Sequence, residues 1–83
     1  MNVNIRYFAS IREDLSTSSE AIVTSSPTLG ALRDELIARG GAYAEALARG
    51  KAVRVALNQT MSEEAAALSD GAEVGFFPPV TGG

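Results

Sequence analysis

The chain has no cysteine, no histidine and no tryptophan. Without cysteine there is no disulfide framework, no thiolate nucleophile, no zinc ribbon and no iron–sulfur cluster. Without histidine there is no Ser-His-Asp or Cys-His machinery, and no imidazole base near neutral pH. Positive charge is also scarce: seven Lys and Arg stand against ten Asp and Glu, for a net charge of −3. That balance argues against a nucleic-acid footprint. The basic residues are scattered, and only Arg49, Lys51 and Arg54 are loosely grouped, in the manner of a solvated rim. No apolar run approaches the roughly 20 residues that span a bilayer. The segment from Met1 to Arg12 has Arg6 inside an alternating pattern, so neither a signal peptide nor a membrane anchor is expected. A cytoplasmic location is the default. The length of 83 residues, 46% hydrophobic, allows one domain with a modest core, spanning 1–83.

What is present reads as a mixture of short strands and helices. Val3, Ile5 and Tyr7 alternate with Asn4, Arg6 and Phe8, the period of a half-buried strand. Ala9 to Leu15 suggests a short turn of helix, and Leu15 to Ser19 a loop. Glu20 to Thr24 gives a second strand that should pair with the first in antiparallel fashion. Ser25-Ser26-Pro27-Thr28 is a helix-start signal, with Pro27 suited to the first turn and Ser26 or Thr28 to the cap. Leu29, Leu32, Leu36 and Ile37 then share one helical face, while Arg33, Asp34 and Arg39 should project elsewhere. Gly40-Gly41 is expected to end that helix. Ala42 to Arg49 suggests a shorter second one, stopped by Gly50.

Val53, Val55 and Leu57 form a third strand, Asn58-Gln59 a turn, and Met61-Ser62 a short edge strand. Glu63 to Leu68 has no clear assignment, since its alanines favour helix and its surroundings do not. Ser69-Asp70-Gly71 is a turn before a last strand, Ala72 to Phe77, with Val74 and Phe76 on one face and Phe77 on the other. Pro78-Pro79 must stop it, because proline removes ladder donors. One helix face and one sheet face suffice for a two-layer α+β core.

The side chains offer no active site. Glu13-Asp14, Asp34-Glu35 and Glu63-Glu64 are adjacent carboxylates, and nothing in the sequence brings a pair into a dry pocket. They read as solvated surface. The serine pairs lack a base, and Gly40-Gly41 follows a helix where a phosphate loop would precede one. No metal site is expected. The C-terminus stands apart: Val80-Thr81-Gly82-Gly83 follows two prolines. Two terminal glycines arise by chance in roughly one chain in 200 at ordinary glycine usage of about 7%. One reading is a frayed end. The other makes the α-carboxylate of Gly83 the reactive group. Residues without Cβ thread a narrow channel, and the prolines stiffen the root of a projecting tail, 78–83. Extended chain from Phe77 to Gly83 spans roughly 20 Å at about 3.3–3.6 Å per residue.

The C-terminal octet Phe76-Phe77-Pro78-Pro79-Val80-Thr81-Gly82-Gly83, preceded by Leu68-Ser69-Asp70-Gly71, resembles the end of the molybdopterin synthase small subunits. These are the sulfur carriers of molybdenum-cofactor synthesis. Ile5-Arg6-Tyr7-Phe8-Ala9 with Ile11-Arg12-Glu13, and Val55-Ala56-Leu57-Asn58-Gln59, are similar to that family as well. The resemblance covers essentially the whole chain. Ala72 stands where an acidic residue is expected, and Gly75 is smaller than the usual strand residue.

The resemblance implies a ubiquitin-like β-grasp, a mixed sheet with one main helix packed on one face. It implies that a partner enzyme uses ATP to adenylate Gly83, and that sulfur transfer then leaves a thiocarboxylate there. No cofactor is expected on this chain itself. Pro79, Val80, Thr81 and Gly82 would thread the partner's site. The thiocarboxylate would donate sulfur to cyclic pyranopterin monophosphate in the large synthase subunit, forming the molybdopterin dithiolene. Catalytic residues would belong to that subunit, in a heterotetramer with two small subunits at its ends. The sheet face that docks both partners in this family would here carry Phe8, Met61 and Phe77, which sequence parity places together near the tail root. Two other functions compete: a sulfur carrier for thiamine or another thio-metabolite, or a ubiquitin-like protein modifier; and a plain interaction module with an inert tail.

Overall fold

The computed structural model describes residues 1–79; Val80 to Gly83, four of the six residues of the expected tail, lie outside the described residues. In chain order the elements are β1 (Asn2–Tyr7), α1 (Ala9–Leu15), β2 (Ser19–Val23), α2 (Leu29–Ile37), α3 (Gly41–Ala46), β3 (Arg54–Leu57), β4 (Thr60–Ser62) and β5 (Ala72–Phe77). The five strands make one mixed sheet in the order β2-β1-β5-β3-β4. β1 pairs antiparallel with β2 and parallel with β5, which puts the two ends of the described chain in the middle of the sheet. β5 pairs antiparallel with β3, and β3 with β4.

Alternation decides which side chains go inside. Val3, Ile5 and Tyr7 of β1 sit opposite Ala72, Val74 and Phe76 of β5. All six are buried, with Ile5, Val74 and Phe76 at 0% exposure. Leu29, Leu32 and Leu36 of α2 and Leu47 after α3 close over them at 0% exposure. Each such side chain removed from water contributes about 1.5–3 kcal/mol. Ile37 packs against this core only in part. Ala72, in place of an acidic residue, belongs to the core, where a charge would lack solvent.

The helix boundaries refine the sequence reading. Thr28 caps α2: its backbone is extended and its Oγ1 accepts from the Ala31 N–H at 3.1 Å. Such a cap is worth about 1 kcal/mol. Pro27 therefore lies before the cap and not in the first turn, and its carbonyl accepts from the Leu68 N–H. Gly40 and Gly41 both have positive φ, but α2 has already ended at Ile37, and Gly41 opens α3 instead of closing α2. The unassigned stretch after β4 is neither helix nor regular strand. The carbonyls of Glu64 and Ala66 accept from the Gly30 and Leu29 N–H groups, at 2.8 and 3.1 Å, satisfying donors that a helix start leaves free.

Arg33 reverses its expected position. It is 3% exposed, with its guanidinium donating to the carbonyls of Leu47, Ala48 and Lys51 and to Glu64. Three of those acceptors follow the end of α3, where carbonyls lack intrahelical donors. Arg49, by contrast, stays exposed at the rim, where it pairs with Asp34 and with Glu64 and donates to the Gly30 carbonyl. Asp34 thus stays on the solvated surface, in an ion pair with Arg49, while Glu64, partly buried, pairs with both Arg33 and Arg49. Among the described residues no helix is long and apolar enough to cross a membrane.

Candidate docking face

The helices cover one side of the sheet and leave the other open. On the open side the register places Arg6 beside Gly75, Gly75 beside Ala56, Ala56 beside Met61, and Phe77 beside Arg54. Phe8, one residue past β1, keeps its parity and comes to the same side. Its ring lies against that of Phe77 with centroids 4.2 Å apart and planes within 3°. The Arg6 guanidinium sits 5.7 Å from the Phe8 centroid. Both rings remain half-buried, and Met61 is 49% exposed. The three residues singled out from parity, Phe8, Met61 and Phe77, therefore border a common cavity of about 210 Å³.

Gly75 is what allows the ring pair to settle. A Cβ built there would stand 3.1 Å from Phe77 and 3.2 Å from Phe8. Its missing side chain thus makes room for the rings and does not merely weaken a strand. Sequence reading missed this because glycine's role here depends on a neighbour 67 positions away, brought in by parallel pairing of β1 and β5. Gln59, treated above only as half of a turn, also lines the cavity. Pro78 and Pro79 follow Phe77 directly, outside the strand; Pro79 is exposed. Gly83 and Val80, Thr81 and Gly82 lie outside the described residues.

The covered face holds a carboxylate with three hydrogen-bond donors. Glu20 accepts from the Tyr7 hydroxyl at 2.9 Å, the Tyr43 hydroxyl at 2.8 Å and Arg39 at 2.9 Å. Partial burial pushes its carboxyl up, but the three donors outweigh this and hold it below the usual range. Burial, then the bond to Glu20, push the Tyr7 hydroxyl well up. These groups lock β1, β2 and the helices together and do not face the cavity. Among the described residues no cluster of three His, Cys, Asp or Glu side chains is placed to hold a metal ion. The open face offers stacking, apolar contact and a few polar rim groups, which is binding chemistry and not proton-transfer chemistry.

Comparison with known proteins bears on this arrangement. A sequence model described as the ThiS family matches residues 5–83. A protein named molybdopterin synthase sulfur carrier subunit, from Escherichia coli, is 41% identical over 81 residues, covering 98% of this chain and 99% of that one. A chain from the complex of subunits 1 and 2 of the Helicobacter pylori molybdopterin-converting factor superposes with a TM-score of 0.69 at 27% identity, with full coverage of both chains. The small archaeal modifier protein of Haloferax volcanii gives a TM-score of 0.77 at 22% identity, again over the whole of both chains, a likeness of fold. The architecture is the ubiquitin-like β-grasp, an α+β fold with a mixed five-stranded sheet.

Proposed function

The chain belongs to the ThiS family, and on that premise we propose that it is the sulfur-carrier subunit of molybdopterin synthase, with the carboxyl group of Gly83 as its working group. The observation that carries this reading is the 41% identity across nearly its full length to a protein of that name. The half-buried Phe8–Phe77 stack on the open face supports it, because it sits where strand β5 hands over to the C-terminal segment.

A carboxylate is a poor electrophile. In the proposed cycle an ATP-dependent partner enzyme lets a Gly83 carboxylate oxygen attack the α-phosphorus of ATP, releasing pyrophosphate. The acyl-adenylate is a mixed anhydride with a good leaving group. Hydrosulfide from the sulfur donor then attacks the carbonyl carbon, AMP departs with the bridging oxygen, and loss of the S–H proton leaves a thiocarboxylate. The large subunit receives that group and supplies the bases and cations for sulfur transfer to cyclic pyranopterin monophosphate. The body of this chain contributes docking: Phe8, Phe77 and Met61 give an apolar anchor of the kind that dominates interfaces. The heterotetramer, with one small subunit on each large one, follows from this assignment. A chain without cysteine or histidine fits the division of labour, since the sulfur rides on the backbone terminus.

The test is intact-mass spectrometry after incubation with ATP, activating enzyme and a sulfur donor. One oxygen should be replaced by sulfur, with fragmentation placing it on Gly83. Deletion of Gly83 should abolish loading completely and leave the melting temperature unchanged. An unmodified mass with competent partners would remove every carrier reading. Adding the large subunit and the pyranopterin substrate then separates this function from a carrier for thiamine or a protein modifier: dithiolene product must form.

A further inference from the structure

The turn between β3 and β4 carries a local conflict. Asn58 and Gln59 both have left-handed backbone, with φ of 50° and 69°. A two-residue turn needs this geometry to follow the twist of its strands, and its second position favours glycine, because a Cβ crowds the carbonyl there. Asn58 has a visible reason to be present. Its N–H donates to the Glu73 carbonyl at 2.8 Å, and its Oδ1 accepts from the Glu73 N–H at 3.0 Å, tying the turn to β5. Gln59 has no such tie. It is exposed, and among the described residues its side chain makes no hydrogen bond within the chain. What it does is stand on the wall of the open-face cavity, beside Met61, Gly75 and Phe77.

We propose that Gln59 is a specificity-determining contact of the docking face: its carboxamide pairs with a backbone peptide group of the large synthase subunit, at the edge of a cavity that takes one apolar side chain of the same segment. This rests on the function proposed above. A carboxamide offers both donors and an acceptor, so it matches the C=O and N–H of a peptide unit. The cavity of about 210 Å³ is bordered by Phe8, Phe77 and Met61, which suits an apolar side chain inserted next to that peptide unit. Backbone strain persists where something else uses the residue. Glycine would relax this turn and forfeit the contact.

The experiment measures affinity for the purified large subunit by calorimetry, in parallel with thermal unfolding of the free chain, for the unaltered protein, Gln59→Gly and Gln59→Glu. Gln59→Gly should melt no lower than the unaltered chain yet bind about three- to tenfold more weakly, the size of one net hydrogen bond. Gln59→Glu keeps the length but loses the amide donors, and should weaken binding at least as much. Unchanged affinity in both variants overturns the inference. So does a matched fall in melting temperature and affinity for Gln59→Gly, which would make the residue a turn former only. If the unaltered chain does not bind the large subunit, the functional reading itself fails and this inference falls with it.

Discussion

Phe76 and Phe77 are the same side chain at consecutive positions of one strand, yet they have opposite roles. Phe76 is 0% exposed and stacks on Tyr7, ring centroids 6.2 Å apart, under the helices. Phe77 lies half-buried on the far side of the sheet, stacked on Phe8 over the bare backbone of Gly75. The first ring is enclosed by this chain's own side chains. The second has one ring neighbour and an open side. A two-residue period sends one ring into the fold and leaves its neighbour for a partner. The two faces of this sheet should therefore fail separately when disturbed.

The largest separation is expected on the covered face. Phe76→Ala should cost about 3–5 kcal/mol in urea unfolding, as other buried aromatic truncations do, and lose docking only through unfolding. Arg33→Met comes next. It removes the donors to the buried Leu47 carbonyl and to the part-buried carbonyls of Ala48 and Lys51, and should cost about 2–3 kcal/mol at unchanged partner affinity per folded molecule. Phe77→Ala should reverse the pattern: about 1–2 kcal/mol of stability for a half-buried ring, but about 2 kcal/mol of binding, roughly thirtyfold. Equal losses in stability and affinity for Phe76→Ala and Phe77→Ala would break the comparison.

The smallest effect is a pH dependence confined to the covered face. The Glu20 carboxyl is held below its ordinary value of 4.5 by its donors, against the opposing effect of burial. Its stabilising contribution is therefore complete above that value and lost as pH falls through the lowered one. Melting curves should drop as pH decreases below about 4.5, and Glu20→Gln should flatten part of that slope while leaving partner binding at neutral pH intact. Asp34, held down chiefly by its bond to Arg49, and Glu35, by its bond to Thr24, keep some slope in the variant. An unaltered slope for Glu20→Gln would assign the acid sensitivity to those other carboxylates.

Local patterns in the chain located much of this. Alternation in β1 and β5 alone separates Val3, Ile5, Tyr7, Val74 and Phe76 from Phe8 and Phe77. The three-and-four spacing of Leu29, Leu32 and Leu36 marked the buried stripe of α2. What escaped notice involved groups far apart in sequence. Arg33 looked like a surface charge because its acceptors are backbone carbonyls after α3 and Glu64, 31 residues away. Glu63 to Leu68 had no periodicity to read, because its task is to offer carbonyls to the first turn of α2. Gly75 looked like a weak point because its reason is the space required by two rings.

Strand parities, the core stripe of α2, the lack of cysteine and histidine and the Gly82-Gly83 pair could all be read along the chain, because each is a matter of residue identity or near-neighbour period. It took the folded chain to put Gly75 beneath a stacked pair, Gln59 beside their cavity and Arg33 in a buried tie. Those outcomes depend on which strands lie side by side, and strand order is set by the packing of the whole core, not by any window of the chain.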